Sequence, residues 1–200
     1  MENIRKVKVE ARAEALRRIK AQQVDSIKNK QQTFDLNLSS FLKKKKGFWS
    51  AYQPISGEVS PTPSIQQNQH IRWVYPRVKE QNLEFYLNPS VWIKSSFGIE
   101  EPDPSISELY QINSLDACLV PGLAFDRQGT RLGRGFGFYD RALEGFKGLK
   151  VGLAFESQIF SEDLPRESFD ISMDIIITEQ NIFLMNHHPN QVIEGERRND

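Results

Sequence analysis

The chain has 200 residues, of which 38% are hydrophobic and 26% are charged, so it is long enough and apolar enough to build one domain with a buried core. Its 26 basic and 26 acidic side chains give a formal net charge of +0, which provides no overall field to attract nucleic acid or an anionic membrane, and we expect neither as a partner. The single cysteine, Cys118, excludes an intrachain disulfide framework and a multi-cysteine metal site. Because the sequence also lacks an apolar run of about 18 residues, we expect a cytoplasmic protein. We also expect a monomer.

Two helices are predicted at the start of the chain. Residues from Glu2 to about Lys30 are rich in Ala, Arg, Lys, Glu and Gln and contain no Gly or Pro, a composition that favours one long helix. A second, short helix is predicted from Phe34 to Leu42, and four lysines, 43–46, follow it. We interpret these lysines as favourable charges at a helix carboxyl end in preference to a phosphate site.

Strand-like segments follow, and several are continuous apolar runs, which are typical of strands covered on both faces. They lie at 48–52, 71–75, 83–87, 115–120, 150–155, 174–178 and 181–185. Helices are predicted between some of them, at 61–69, 100–109 and 139–146. We therefore predict a single α/β domain over residues 1–200, a Rossmann-like three-layer sandwich with a mainly parallel central sheet, with a helical segment at 1–46 and a polar tail at 187–200.

The segment after the strand at 115–120 carries the strongest chemical signal. Gly133, Gly135 and Gly137 occupy alternate positions, so backbone N–H groups can approach an anion closely. The helix predicted next would direct its positive amino end to the same place. The spacing is neither that of the P-loop nor that of the dinucleotide-binding fingerprint.

Charged residues within this segment favour a nucleotide-phosphate site. Arg131 and Arg134 are cationic groups suited to phosphate oxygens, and Asp140 is a carboxylate suited to Mg²⁺. The alternative is a glycine-rich turn in which Asp140 caps the helix and the arginines are solvated.

The chain resembles the 5-formyltetrahydrofolate cyclo-ligase family in two neighbouring segments, PGxAFD at 121–126 and RLGRGxGxYD at 131–140, with Gly129 between them. Other short segments agree in order: YxP at 52–54, GEV at 57–59, YPR at 75–77 and FGIxEP at 97–102. The resemblance extends over residues 48–179, with a weaker match in the basic helix before them. It implies an ATP- and Mg²⁺-dependent enzyme that converts 5-formyltetrahydrofolate to 5,10-methenyltetrahydrofolate, ADP and phosphate through a phosphorylated formyl group.

The resemblance also implies a role for individual residues. Arg134 and Tyr139 would be catalytic, with Arg134 stabilising the transferring phosphoryl group. Contacts to ATP are implied for Lys8, Arg12, Arg131, Leu132, Gly133, Arg134, Gly135, Phe136, Gly137, Phe138 and Tyr139. Contacts to the folate are implied for Glu58, Arg134, Gly135, Phe136, Gly137 and Phe138. The metal ligands would be Asp140 and Asp174.

Structural alternatives remain for several of these residues. Glu58 is also an ordinary turn residue after a glycine, and Asp174 is also an ordinary residue at a strand terminus. Lys8 and Arg12 lie four apart on one helical face, which is equally expected of a solvated basic surface. Other registers compete for the same role, through Arg5, Arg17 and Arg18.

Three phenylalanines depart from the common family pattern. Phe136 stands where Gly or Lys is usual, Phe138 replaces the first tyrosine of a Tyr-Tyr-Asp triplet, and Phe169 stands where many members have histidine. These departures bear on rate and specificity more than on reaction class. They leave two alternatives open, namely a related enzyme for another small formamide and a non-catalytic binder of nucleotide or folate that acts as a regulator.

Overall fold

The computed structural model describes residues 2–22, 24–95 and 98–185. Within these ranges the helices are α1 (Glu2–Lys20), α2 (Val24–Leu42), α3 (Thr62–Gln67) and α4 (Phe138–Ala142). The strands are β1 (Phe48–Ser50), β2 (Arg72–Lys79), β3 (Asn82–Leu87), β4 (Trp92–Lys94), β5 (Glu100–Pro102), β6 (Glu108–Tyr110), β7 (Ala117–Pro121), β8 (Ala124–Asp126), β9 (Arg131–Leu132), β10 (Leu149–Leu153), β11 (Ile159–Phe160), β12 (Ile175–Ile177) and β13 (Ile182–Leu184).

The central sheet has eight strands in the order β13-β12-β10-β7-β1-β2-β3-β6. Its five middle strands, from β12 to β2, pair in parallel, and antiparallel strands complete both sides. Parallel strands are buried on both faces, which explains their apolar runs. The predicted α/β architecture with a mainly parallel central sheet is therefore confirmed.

Side chains of β7 alternate between two cores because successive residues of a strand point to opposite faces. Leu119 packs in one cluster with Phe34 and Leu38 of α2. Cys118 and Val120 pack on the other face, with a cluster that contains Leu143, Phe146 and Phe125. The second face is thus covered by α4, the turn after it and the small sheet β11-β8-β9.

A third cluster attaches α1 to this small sheet. Ala15 is buried against apolar residues of β8, β9, β11 and the chain that follows them, including Ala124, Leu132, Phe160 and Leu164. α1 therefore lies beside the glycine-rich segment, which begins in β9.

Two helix predictions need correction. The predicted helix 2–30 is two helices, because the chain leaves helical geometry after Lys20 and begins again at Val24. This break lets α1 pack on the small sheet while α2 packs on the central one. The predicted helix 100–109 is wrong: the region forms β5 and β6, and Pro102 and Pro104 there are incompatible with a helix interior.

Other predictions are met more closely. The helix predicted at 61–69 is α3, and the one predicted at 139–146 ends earlier, since α4 stops at Ala142. The predicted polar tail, 187–200, lies outside the described residues, and the single-domain organisation stays a prediction. Among the described helices, none combines the length and apolar character needed to cross a membrane.

Candidate active site

A cavity of about 810 Å³ opens beside the carboxyl end of β7, which reaches its wall through Pro121 and Gly122. The rest of the wall comes from one face of α1, from the β2–β3 hairpin and from residues 52–58, 99–101, 131–144 and 167–170. Ligand sites of parallel α/β sheets commonly lie outside the carboxyl ends of the strands. The position alone makes this cavity the candidate site.

The glycine-rich segment needs its glycines for conformation and space. Gly135 and Gly137 have φ of 102° and 67°, which is the left-handed region that favours glycine. A Cβ on Gly133 would lie 2.8 Å from the Arg131 guanidinium. The helix that follows has only five residues, so the positive potential of the site comes mainly from arginine side chains and not from a helix dipole.

Arg131 is held deep in the wall and is only 5% exposed. Its guanidinium donates to Asp140 Oδ2 at 2.9 Å and to the Pro121 carbonyl at 3.2 Å. It also lies over the ring of Tyr139, 5.6 Å from the centroid. Arg131 Nε is buried and has no hydrogen-bond partner among the described residues.

Arg134 crosses the cavity to the turn at residues 55–58. Its Nη2 donates to the Ser56 carbonyl at 2.9 Å, and its Nε lies 3.4 Å from Glu58 Oε1. Burial raises the pKa of Glu58 above its ordinary value of 4.5, and the Ile55 N–H and Arg134 oppose that rise. Glu58 is therefore a buried carboxyl aimed into the site, and no longer only a turn residue.

Two basic residues of α1 also reach the cavity. Lys8 Nζ lies 2.7 Å from Glu167 and 2.5 Å from Asp170. Arg12 Nε donates to the Gly133 carbonyl at 3.0 Å and so contacts the glycine-rich segment directly.

Three further arginines of α1 were alternatives to Lys8 and Arg12 as contacts to the nucleotide. Arg17 and Arg18 pair with Glu14 and are not part of the cavity wall, whereas Arg5 is.

Aromatic rings form much of the remaining wall. Phe136 is 58% exposed and stacks on Phe138 with ring centroids 5.7 Å apart. Phe169 is 66% exposed, and its ring lies 5.5 Å from Lys8 Nζ. Burial raises the pKa of Tyr139 well above its ordinary value of 10.0, so its phenol keeps its proton at neutral pH. The phenol of Tyr52 is also buried and donates to the Val59 carbonyl at 2.8 Å.

Asp174 is not in the cavity wall. It directly precedes β12, and its Oδ2 accepts the Lys150 N–H at 2.7 Å and lies 2.9 Å from Lys150 Nζ. The register of β12 with β10 and of β10 with β7 puts Asp174 level with Lys150 and Cys118, three residues toward the amino ends from Pro121. Asp174 is thus paired outside the cavity wall, and we propose, in contrast to the expectation from the sequence, that it does not share an ion with Asp140.

The sequence model described as the 5-formyltetrahydrofolate cyclo-ligase family matches residues 7–179. This match covers the cavity residues of α1 other than Arg5, the 52–58 turn, the glycine-rich segment and the 167–170 turn. The chain belongs to the 5-formyltetrahydrofolate cyclo-ligase family.

Individual members of the cyclo-ligase family agree in sequence and in fold. The 5-formyltetrahydrofolate cyclo-ligase of Haemophilus influenzae is 34% identical over 137 residues, which cover 63% of this chain and 73% of that protein. The NMR structure of 5,10-methenyltetrahydrofolate synthetase from Aquifex aeolicus has a TM-score of 0.76 at 33% identity, covering 92% of this chain and 100% of that one. A 5,10-methenyltetrahydrofolate synthetase from Mycoplasma pneumoniae has a TM-score of 0.70 at 25% identity, covering 86% and 98%.

Some wall residues of this cyclo-ligase family member were not predicted as site residues. Glu167 and Asp170 lie about 160 positions from their partner Lys8, and no sequence pattern could indicate that pairing. Arg141 could have been found, because it directly follows the RLGRGxGxYD segment. Its guanidinium donates to the carbonyls of Phe136 and Gln81 and so links the glycine-rich segment to the β2–β3 hairpin.

Proposed function

We propose that this protein catalyses the ATP-dependent conversion of 5-formyltetrahydrofolate to 5,10-methenyltetrahydrofolate, with release of ADP and phosphate. One observation carries the proposal: the arginine-lined glycine-rich segment and the buried Glu58 face the same cavity, where Arg134 contacts Glu58. A phosphate-binding wall and a carboxylate able to accept folate N–H groups are therefore close enough for two substrates to react. Family membership supports the same activity.

In the proposed reaction, the formyl oxygen on N5 attacks the γ-phosphorus of ATP and ADP leaves. N10 then attacks the formyl carbon, the carbon–oxygen bond breaks, phosphate departs and the N10 proton is lost. The formamide is a weak electrophile, so the protein must orient both substrates and stabilise charge on the transferring phosphoryl group. No protein nucleophile is needed.

The cavity residues have separable tasks in this proposal. Arg134 stabilises the phosphoryl group, and Arg131 adds positive charge to the wall beside the phosphates. Backbone N–H groups of the segment from Gly133 to Gly137 surround the phosphates. Lys8 and Arg12 place α1 beside them. The protonated phenol of Tyr139 donates a hydrogen bond to the developing negative charge.

Glu58 and the phenylalanine pair bind the folate in this proposal. Glu58 accepts N–H groups of the substrate, and Phe136 and Phe138 provide an apolar surface for its rings.

A Mg²⁺ ion fits the site only together with the nucleotide. Among the described residues no group of three His, Cys, Asp or Glu side chains could hold a metal. Mg²⁺ is commonly held by one or two carboxylates together with substrate phosphates. Several carboxylates line the cavity, and we assign this role to Asp140 because it lies at the end of the glycine-rich segment. When bound, such an ion would neutralise charge on the β- and γ-phosphates.

The test is the absorbance of the methenyl product when purified protein is mixed with ATP, Mg²⁺ and 5-formyltetrahydrofolate. We expect product, ADP and phosphate in equal amounts, and none when any component is omitted. Binding without turnover would favour the regulator, and ATP hydrolysis with another formamide but not with this folate would favour the related enzyme. Cytoplasmic location and the monomeric state stay predictions.

The phosphorylated formyl group has its own test. Substrate labelled with ¹⁸O in the formyl group should transfer the label to inorganic phosphate, because the formyl oxygen leaves on phosphorus. Label retained elsewhere would exclude this intermediate and leave the overall reaction unaffected.

A further inference from the structure

Three cations that face the cavity are already paired with protein carboxylates. Lys8 is paired with Glu167 and Asp170, Arg131 with Asp140, and Arg134 with Glu58. A nucleotide that uses any of these cations must compete with the carboxylate that holds it. The three pairs differ in how readily they can be opened.

The pair of Arg134 and Glu58 is the most exchangeable of the three. Its closest nitrogen and oxygen are 3.4 Å apart, and the Arg134 side chain is 32% exposed. The other pairs have contacts of 2.5 to 2.9 Å with cations only 5–8% exposed. Water can reach Arg134 when this long contact opens, although Glu58 itself is only 8% exposed. Opening either of the other pairs would strand a buried cation.

Glu58 can stay in place when this contact opens. Its second oxygen accepts the Ile55 N–H at 3.2 Å, so the carboxylate is still oriented by its own turn. Arg134 can move, because Gly133 and Gly135 flank it and lack the side chains that would restrict the backbone.

Resting on the proposed function, we propose that Arg134 couples the two substrates by exchanging Glu58 for the phosphates of the nucleotide. In the absence of nucleotide, Arg134 occupies the oxygen of Glu58 that folate N–H groups would use. Bound nucleotide draws Arg134 away and leaves that oxygen free for the folate. The two substrates therefore bind with positive cooperativity, and each tightens the other by the same factor.

The experiment is a calorimetric titration of 5-formyltetrahydrofolate into the protein, with and without a saturating non-hydrolysable ATP analogue and Mg²⁺. For the unaltered chain we expect the analogue to tighten folate binding about fivefold or more, the lower end of typical coupling. The Arg134→Ala protein should bind folate equally with and without analogue, and without analogue at least as tightly as the unaltered chain. The Glu58→Gln protein, which breaks the pair from the other side, should also lose the coupling.

Arg141→Ala is the matched control, because it removes a neighbouring cavity arginine that contacts the carbonyls of Gln81 and Phe136 and the ring of Phe138, whereas none of its described contacts is to Glu58. It should keep the coupling factor. Thermal unfolding of each variant checks that it is folded. If Arg134→Ala and Glu58→Gln both lose the coupling, a local structural defect in one variant cannot be the cause.

Two results would overturn the inference while leaving the proposed function standing: both ligands bind the unaltered chain independently, or Arg134→Ala retains the coupling. Weaker folate binding by Arg134→Ala without analogue would also overturn it, since Arg134 would then be a folate ligand and not a competitor. If the unaltered chain binds neither ligand, the proposed function fails as well.

Discussion

Asp140 lies in α4 and Asp174 directly precedes β12, and the two aspartates have different partners. Asp140 lies in the wall of the cavity, where its Oδ2 pairs with Arg131 and its Oδ1 accepts the Ile171 N–H at 3.4 Å. Asp174 lies at the amino end of β12 and accepts the N–H of Lys150 in the neighbouring strand. Asp116, which directly precedes β7, accepts the Phe48 N–H at 2.8 Å in the same way.

The comparison shows how one residue type has two uses in a parallel sheet. At the amino ends, aspartates satisfy backbone donors of adjacent strands and stabilise the sheet. At the carboxyl ends, charged groups face a cavity, where we propose that they exchange partners with a ligand. Predictions based on this difference separate effects on activity from effects on stability.

The largest effect is expected for Arg134→Ala. Turnover should fall by about 10²-fold or more with the fold intact, because a cation on the transferring phosphoryl group contributes mainly in the transition state. Steady-state rates with thermal unfolding as a control would measure it. Unchanged turnover would remove Arg134 from the site.

Glu58→Gln should reduce folate affinity about tenfold at saturating nucleotide, while nucleotide affinity measured without folate should not fall, because Glu58 no longer competes for Arg134. The substitution keeps the shape and removes the charge, and a charge-assisted hydrogen bond contributes roughly 1.5–3 kcal/mol against about 1 kcal/mol for a neutral one. Calorimetric titration of each ligand decides it. Equal losses for both ligands would give Glu58 a structural role only.

The two aspartates should respond differently to substitution by asparagine. Asp140→Asn should raise the Mg²⁺ concentration needed for half-maximal turnover several-fold. Asp174→Asn should leave that requirement unchanged and lower the free energy of unfolding by roughly 1–3 kcal/mol, because it weakens a largely buried charged contact to Lys150. A Mg²⁺ titration and thermal unfolding of both variants test the contrast, and a raised Mg²⁺ requirement in Asp174→Asn would refute it.

The smallest effect concerns stability and pH. Because burial raises the pKa of Glu58 above 4.5, the folded state holds this proton more tightly than the unfolded chain. Its favourable contribution is complete below pH 4.5 and is lost as the pH rises through the raised value. The glutamine side chain does not titrate, so the Glu58→Gln protein does not lose this contribution as the pH rises. The difference in melting temperature, variant minus unaltered chain, should therefore be more positive at pH 7 than at pH 4. A difference independent of pH would contradict the burial of a titrating Glu58.

Much of this architecture could be predicted from the sequence, because short apolar runs such as Leu119–Val120 and Ile175–Ile177 are typical of strands that are buried on both faces. The role of the glycine-rich segment could also be predicted, because alternate glycines with an arginine among them indicate a site where backbone N–H groups approach an anion. The break between α1 and α2 could not be predicted from the sequence. No Gly or Pro marks it, and only packing on two different sheets requires it.

The position of Asp174 could have been predicted more closely. An aspartate that directly precedes a parallel strand lies at the amino edge of the sheet, whereas the segment after β7 lies at the carboxyl edge. The pairing of Lys8 with Glu167 and Asp170 could not have been predicted, because it depends on how α1 packs on a distant turn.

The most direct test is a crystal structure with the non-hydrolysable ATP analogue, Mg²⁺ and 5-formyltetrahydrofolate bound. We predict the γ-phosphate within hydrogen-bond distance of the Arg134 guanidinium, the folate within reach of Glu58, and Asp174 still paired with Lys150. Nucleotide bound away from the glycine-rich segment, or Asp174 turned into the metal site, would contradict the division between the two ends of the sheet.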